Sequence, residues 1–280
     1  MTVRALGIDV GVGKGLDLVL MDERRVPLRV LSRVGIGRLG ALIDEIAPEV
    51  IAIDAPPGWA TSGKSRRTER DLAQFNIHAF NTPSDGRGNA FYDWMQVGFR
   101  AFRIAAKAGF PRYAAGNPRG TAMEVFPHAS AAVLAGCLPS KGAKKKAWRE
   151  DVLRAHGVWT VDLATTDQID AALAALTGVI VLQGRHFAPG DPKEGVIVLP
   201  VTTLPARPFR PCPDEGAEAP PPLFRYCACG DPTCTELTRG EFAPGHDAKR
   251  KSMLWQRARE GHDAIDELRR RGWEIPPEMR

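Results

Sequence analysis

The chain lacks any long hydrophobic run, and this absence argues against a protein with membrane-spanning helices. In its 280 residues no apolar stretch approaches the roughly 20 residues that a membrane-spanning helix needs. No repeat of solenoid length is present. The first residues lead directly into a strand pattern rather than a secretory signal. We therefore expect a cytoplasmic globular protein with no membrane anchor.

Cysteine is scarce, with five in the whole chain, and its placement is uneven. Three cysteines crowd into one short segment and a histidine follows them: Cys227, Cys229, Cys234 and His246. Crowding of this kind in a reducing compartment favours a metal over disulfides. Three thiolates and one imidazole suit a tetrahedral, structural Zn²⁺ site, with His262 as an alternative fourth ligand. We expect Cys137 and Cys212 to be bystanders.

Charge of one sign does not dominate either. The formal net charge of +5 permits a polyanionic partner but does not demand one. The candidates for contacts to nucleic acid are basic: Lys14, Arg67, Lys144, Lys145, Lys146 and Arg149. Trp148 lies inside the densest basic segment, and an aromatic beside basic residues suits nucleic acid. A solvated helix face explains the same segment almost as well.

Hydrophobic patterning predicts an α/β domain over residues 1–201. Strand patterns occur at 3–10, 16–21, 26–34, 50–53, 121–126 and 195–201. Helical patterns occur at 39–46, 89–108, 128–135, 144–156 and 166–182, the last with Thr165 or Thr166 as N-cap. The first three strands suggest an antiparallel meander.

Proline marks the end of this domain. Seven prolines in residues 202–224 predict a semi-rigid linker. Residues 225–280 then form a small helical module that is too small to fold on apolar burial alone, so the predicted zinc should stabilise it. We expect its two helices to start at Asp247 and Asp263, as N-caps.

Acidic residues stand where carboxylates can converge. Asp9 and Asp54 each close an apolar strand pattern, and Asp167 and Asp170 open an apolar helix one turn apart. Glu124 lies at the end of a further strand pattern. Carboxylates so placed can hold a pair of divalent cations, which is the usual machinery for cutting a phosphodiester. A lone strand-end aspartate more often caps a turn, but a buried, unpaired Asp170 would be costly without a metal.

Several segments also resemble known proteins. The segment from Gly7 to Gly11 is similar to the first strand of the ribonuclease H-like superfamily, and the segment from Asp167 to Ala174 resembles the last helix of RuvC-type resolvases. More closely, the chain resembles the DUF429 family of predicted nucleases over about residues 3–201, through pieces such as Ile53 to Gly58 and Glu124 to His128.

This resemblance implies an RNase H-like mixed sheet with flanking helices. It also implies that Asp9 and Asp170 bind Mg²⁺ or Mn²⁺ and that the partner is DNA or RNA. The middle carboxylate of the superfamily is usually a glutamate on the fourth strand, for which Asp54 is a shorter substitute. The expected activity is metal-dependent hydrolysis of nucleic acid.

Two other functions remain open from the sequence. The Gly-rich turn from Gly11 to Lys14 is typical of phosphate binding in sugar-kinase and actin-like ATPases, although those proteins need two such lobes. A non-catalytic nucleic-acid-binding protein of the same fold is the other alternative. His128 either transfers a proton near neutral pH or only begins a helix.

Overall fold

The structure is a computed structural model that describes residues 3–213, 225–226, 237–238, 245–259 and 264–275. Contacts divide the chain into two units. The first comprises residues 1–154 and 158–219, and the second comprises residues 155–157 and 220–280. Among the described residues, no helix is both long enough and apolar enough to cross a membrane.

A five-stranded mixed sheet organises the first unit. Its strands are β1 (Arg4–Gly11), β2 (Gly15–Asp22), β3 (Pro27–Val34), β4 (Val50–Asp54) and β5 (Ala122–Glu124), in the order β3-β2-β1-β4-β5. The first three strands pair antiparallel, as the meander prediction required. β4 pairs parallel with β1, and β5 pairs parallel with β4. The predicted mixed α/β sheet is confirmed.

The predicted strand at 195–201 is mostly irregular. Only β7 (Gly195–Val196) is regular, and it pairs with β6 (Gly190–Asp191). Beyond it, Ile197 forms a single bridge to Glu124, and Leu199 forms one to Phe187. Pro200 follows at once and has no N–H to donate, so the ladder cannot continue.

The described residues before position 214 also form six α-helices: α1 (Leu39–Ile46), α2 (Arg67–Ala73), α3 (Asp93–Lys107), α4 (Pro127–Ala135), α5 (Lys145–Ala155) and α6 (Thr166–Leu182). Side chains alternate between the two faces of a strand. In β1, Ala5 therefore belongs to the core beneath α6, whereas Leu6 and Ile8 belong to the core beneath α1 and α3. Thr165 caps α6 as predicted, because its side chain accepts a hydrogen bond from the Gln168 N–H.

Small residues let α6 lie very close to β1. A Cβ atom on Gly7 would lie 2.0 Å from the Ala171 carbonyl oxygen and 2.4 Å from the Ala175 nitrogen. On Gly178, a Cβ would lie 2.8 Å from the Cβ of Ala5. All three distances are shorter than a Cβ atom can approach, so the contact between helix and sheet depends on glycine at both positions.

The expectation that Cys137 and Cys212 are bystanders is wrong, because the two form a disulfide. Residues around Cys212 also attach to the first unit. Its N–H donates to the Leu138 carbonyl, and the Phe209 side chain is buried beside Phe75. The start of the Pro-rich segment is thus packed against the domain. The pairing was missed because the two cysteines lie 75 residues apart.

In the second unit, β8 (Arg225–Tyr226) pairs antiparallel with β9 (Leu237–Thr238), and α7 (His246–Arg259) packs against α8 (Ile265–Arg270). The buried Arg250 guanidinium binds the Glu267 carboxylate at 3.0 Å. Asp247 lies inside the first turn of α7, so the prediction that it is the N-cap is wrong. Of the other predictions for this unit, these residues lie outside the described ranges: Cys227, Cys229, Cys234, His262 and Asp263.

Candidate metal centre

Three neighbouring strands place an aspartate at the same level of the sheet. In the antiparallel pair Asp9 lies opposite Asp17, and in the parallel pair it lies opposite Asp54. Directly paired residues on one face have Cβ atoms about 5 Å apart. Asp9 shares its face with Ala5, two strand periods away, which is the face that α6 covers. The register alone therefore makes a row of three carboxylates under that helix.

The first turns of α6 add two more carboxylates above this row. Asp167 and Asp170 are three residues apart, so they lie on the same side of the helix. In two groups, one ligand oxygen per residue can be chosen so that all lie within 4.8 Å of one another: Asp9, Asp54 and Asp170, and Asp9, Asp17 and Asp167. Asp9 belongs to both groups. The structure thus brings four of the sequence candidates together.

Crowding perturbs the protonation of these carboxyls. Burial, followed by the charges of Asp170, Asp167 and Asp17, raises the pKa of Asp9 from 3.8 to about 8. Burial and the charge of Asp9 also raise the pKa of Asp54 well above its usual range. The pKa of Asp170 is raised by burial, against the opposing effect of Arg149. Negative charge is therefore costly at this position unless a cation accompanies it.

Two basic side chains supply part of that compensation. The buried Arg149 donates from Nη1 to both carboxylate oxygens of Asp170, at 2.5 Å each. The exposed Lys14, on the turn between β1 and β2, forms an ion pair with Asp167 at 2.9 Å. Arg149 was expected to contact nucleic acid from an exposed helix face. The structure places it inside the acidic cluster instead.

Glu124 lies outside this cluster. Both of its oxygens accept hydrogen bonds from the guanidinium of Arg66, at 2.6 Å each, and Arg66 also binds Glu69 at 2.9 Å. All three side chains are buried. Glu124 belongs to neither group of three carboxylates whose oxygens lie within 4.8 Å of one another, so we leave it out of the candidate ligand set.

The remaining sequence candidates have clear positions. Arg67 is exposed and pairs with Asp71 at 3.6 Å. Lys144 and Lys145 are exposed, and Lys146 is partly buried beside Glu150. His128 packs against the Trp148 ring, and burial together with the charge of Arg149 lowers its pKa to about 4. Neutral imidazole at physiological pH makes His128 a poor proton carrier there.

Asp17 was missed by the sequence analysis. It stands inside a strand pattern rather than at a strand end, where the other candidates were sought. A signal was nevertheless present. The Gly-rich turn fixes the pairing of Gly11 with Gly15, and counting two residues away from the turn on each side brings Asp9 opposite Asp17.

Comparisons with known proteins accord with the sequence resemblance. The family model described as "Protein of unknown function (DUF429)" matches residues 7–194. Among curated proteins, none matches the chain.

Two solved structures of RuvC from Thermus thermophilus are similar in part. The complex with a Holliday junction substrate is 15% identical and covers 65% of this chain and 96% of that chain, with a TM-score of 0.39. The second is 18% identical and covers 62% and 92%, with a TM-score of 0.34. At such scores, the chemistry of this chain has to be argued from its own side chains.

Proposed function

Because the chain belongs to the DUF429 family, whose function is unknown, we propose from its own side chains that it is a metal-dependent nuclease. The observation that carries the proposal is the row of Asp17, Asp9 and Asp54 beneath Asp167 and Asp170. The proposed reaction is hydrolysis of a phosphodiester bond in DNA or RNA.

The residues of the cluster fit Mg²⁺ or Mn²⁺. Both ions prefer carboxylate oxygens as ligands. Oxygen atoms within 4.8 Å of one another can share an ion. Burial, together with the charges of the neighbouring carboxylates, raises the pKa of Asp9, and a bound cation would favour the ionised form that both effects disfavour. Asp9 belongs to both groups of three, so it is the residue that the two candidate positions share.

The proposed chemistry divides between ion and protein. Divalent cations held by these carboxylates would lower the pKa of a bound water and offset charge that develops on the phosphate oxygens. The protein contributes rigid ligands, since Asp9 and Asp54 lie on central strands and Asp170 lies on a buried helix. Rigid placement keeps the reacting groups in register without reorganisation.

Arg149 has a further part in this proposal. Its Nε has no hydrogen-bond partner among the described residues, although its Nη1 binds Asp170. Because this nitrogen is buried, the part of Arg149 is to hold Asp170 in place and to offset its charge. The exposed Lys144 and Lys145 lie on or next to the same helix and would contact the backbone of the nucleic acid.

The test compares the wild type with Asp9→Asn on single-stranded and duplex DNA and RNA, with Mg²⁺, Mn²⁺ or EDTA. Asp162→Asn is the matched control, because it removes the same charge at an exposed position. We expect cleavage by the wild type and the control only with metal, and none by Asp9→Asn. Binding of nucleic acid by the wild type, with no cleavage under any of these conditions, would instead support the non-catalytic alternative.

For the second unit, we retain the structural zinc site as a proposal from the sequence. Its ligands are Cys227, Cys229, Cys234 and His246. Metal analysis of the purified chain should find one zinc per molecule, and Cys229→Ser should lose it. Retention of zinc by this variant, or its absence from the wild type, would contradict the assignment.

A further inference from the structure

A cavity opens directly beside the metal ligands. It has a volume of about 460 Å³, and Asp54, Asp170 and Arg149 form part of its lining. This volume is in the range of pockets that hold a small organic group. Whatever occupies the cavity therefore lies next to the carboxylates of the proposed active site.

Aromatic rings form the outer wall of this cavity. Phe80 is 64% exposed and Phe91 is 53% exposed, yet both line it. Their ring centroids are 5.6 Å apart, and the ring centroids of Phe80 and Trp94 are 6.1 Å apart. Clustered apolar rings left in contact with water are unfavourable in the free protein and are typical of a surface that binds a partner.

The lining also includes charged side chains, but it is not basic. Arg66 is neutralised by Glu124 and Arg149 by Asp170, and Asp54 adds a further carboxylate. A bare anion would not be attracted to this lining. A planar, uncharged group with a flat apolar face and a polar edge matches a lining of aromatic rings and paired charges, and a nucleobase has these properties.

A base can enter this cavity only when it is unstacked. In a duplex, each base is covered on both faces by its neighbours, and extruding it costs a few kcal/mol. A base in a single strand or a flap is already free to turn outward. Stacking on aromatic side chains also tolerates any base, because every base has a π face.

We propose that Phe80 and Phe91 hold an unpaired nucleobase of the substrate next to the metal ligands. The enzyme would then act on single-stranded nucleic acid or on unpaired nucleotides at the end of a duplex. This inference rests on the proposed nuclease function and adds the substrate class to it.

The test measures binding of fluorescently labelled single strands and a blunt duplex of the same sequence, with Ca²⁺ in place of Mg²⁺ to prevent turnover. The double variant Phe80→Ala, Phe91→Ala should bind single strands roughly five- to hundredfold more weakly than the wild type. The single variant Phe80→Trp, which keeps Phe91 and an aromatic ring at position 80, should bind single strands as the wild type does. Phe187→Ala removes another exposed ring, outside the cavity, and should bind as the wild type does.

A second readout locates the base. Single strands carrying 5-iodouracil, irradiated with the Asp9→Asn protein, should crosslink to Phe80, Phe91 or Trp94, as identified by mass spectrometry. A crosslink confined to other parts of the chain would overturn the assignment. Unchanged metal-dependent thermal stabilisation of the double alanine variant would show that the acidic cluster remains intact.

The outcomes separate this inference from the nuclease proposal. Cleavage that depends on Asp9 but not on Phe80 and Phe91 would support the nuclease proposal and overturn the proposed site for an unpaired base. Binding that depends on the two rings, without cleavage, would support that site and overturn the nuclease proposal. Equal affinity for blunt duplex and single strand would also contradict the requirement for an unpaired base.

Discussion

Replacing Asp9 by asparagine should remove metal binding and at the same time stabilise the metal-free protein. Asn has nearly the shape of a protonated Asp and carries no charge. In the free protein it therefore avoids both the burial of a charge and the repulsion from Asp170, Asp167 and Asp17, which together raise the pKa of Asp9. The residue most important for the proposed activity is thus expected to be unfavourable for stability.

The magnitude of this gain in the free energy of unfolding depends on the pKa of Asp9, which is about 8 in the folded protein against 3.8 in the unfolded chain. The folded state binds more protons than the unfolded state between these values. Deprotonation therefore lowers the free energy of unfolding by roughly 1.4 kcal/mol per pH unit as the pH rises through this window. At pH 7 we expect Asp9→Asn to be more stable than the wild type by about 2 to 4 kcal/mol.

The assay is urea denaturation in EDTA at several pH values on either side of the Asp9 pKa of about 8. The stability difference should grow with pH and level off above pH 8. Saturating Mn²⁺ should then stabilise the wild type, by about 2.7 kcal/mol at a hundredfold excess over Kd, and leave Asp9→Asn unchanged. Asp162→Asn, at an exposed position, should show neither the stability gain in EDTA nor the loss of metal binding.

A wild type more stable than Asp9→Asn in EDTA at pH 8 would refute this reasoning, since it would mean that the carboxylate of Asp9 is favourably paired. A difference that does not vary with pH would refute it as well. Equal stabilisation of both proteins by Mn²⁺ would place the metal elsewhere.

Three further changes test other parts of the structure. Gly7→Ala should lower the free energy of unfolding by about 3 kcal/mol in the same urea assay, because the added Cβ would meet backbone atoms of α6. The control Gly37→Ala, with open space around it, should have little effect. Glu124→Ala should cost about 3 to 5 kcal/mol by the same measurement, because it leaves Arg66 buried with one carboxylate fewer. His128 should titrate near pH 4 in NMR spectra, so that it subtracts from stability as the pH falls from 6.5 to 4, and a measured value near 6.5 would contradict its burial.

The acidic cluster was predictable to the extent that it depends on strand ends and helix starts. Asp9 and Asp54 follow apolar runs, and parallel strands that end together bring such residues to one edge. Asp170 begins a helix that is apolar on all sides, so it had to be buried. Asp17 could be predicted only from the register of the hairpin, which depends on strand pairing and not on composition.

The partners of buried charges were not predictable. The strand pattern around Glu124 indicates burial, but nothing in it shows that Arg66, far earlier in the chain, occupies both oxygens. Similarly, Arg149 stands in a lysine-rich segment that is typical of an exposed face, and only the packing of α5 turns it toward Asp170. Long-range ion pairs and the disulfide share this property, since each depends on the tertiary fold and leaves no local pattern.

The row of Asp17, Asp9 and Asp54 is kept together in the free protein by the packing of α6 above it. The pKa values show that the row destabilises the fold, so other contacts have to hold α6 over it. Those contacts come from the alanine-rich part of the helix, which packs on β1, β2 and β4 through buried apolar surface. Beyond the row, Arg149 neutralises Asp170 and Lys14 neutralises Asp167, so one carboxylate of each group of three already has a cationic partner. Removal of the charge of Asp9 should therefore change the stability more than removal of the charge of Asp167 or Asp170, because those two carboxylates already have cationic partners.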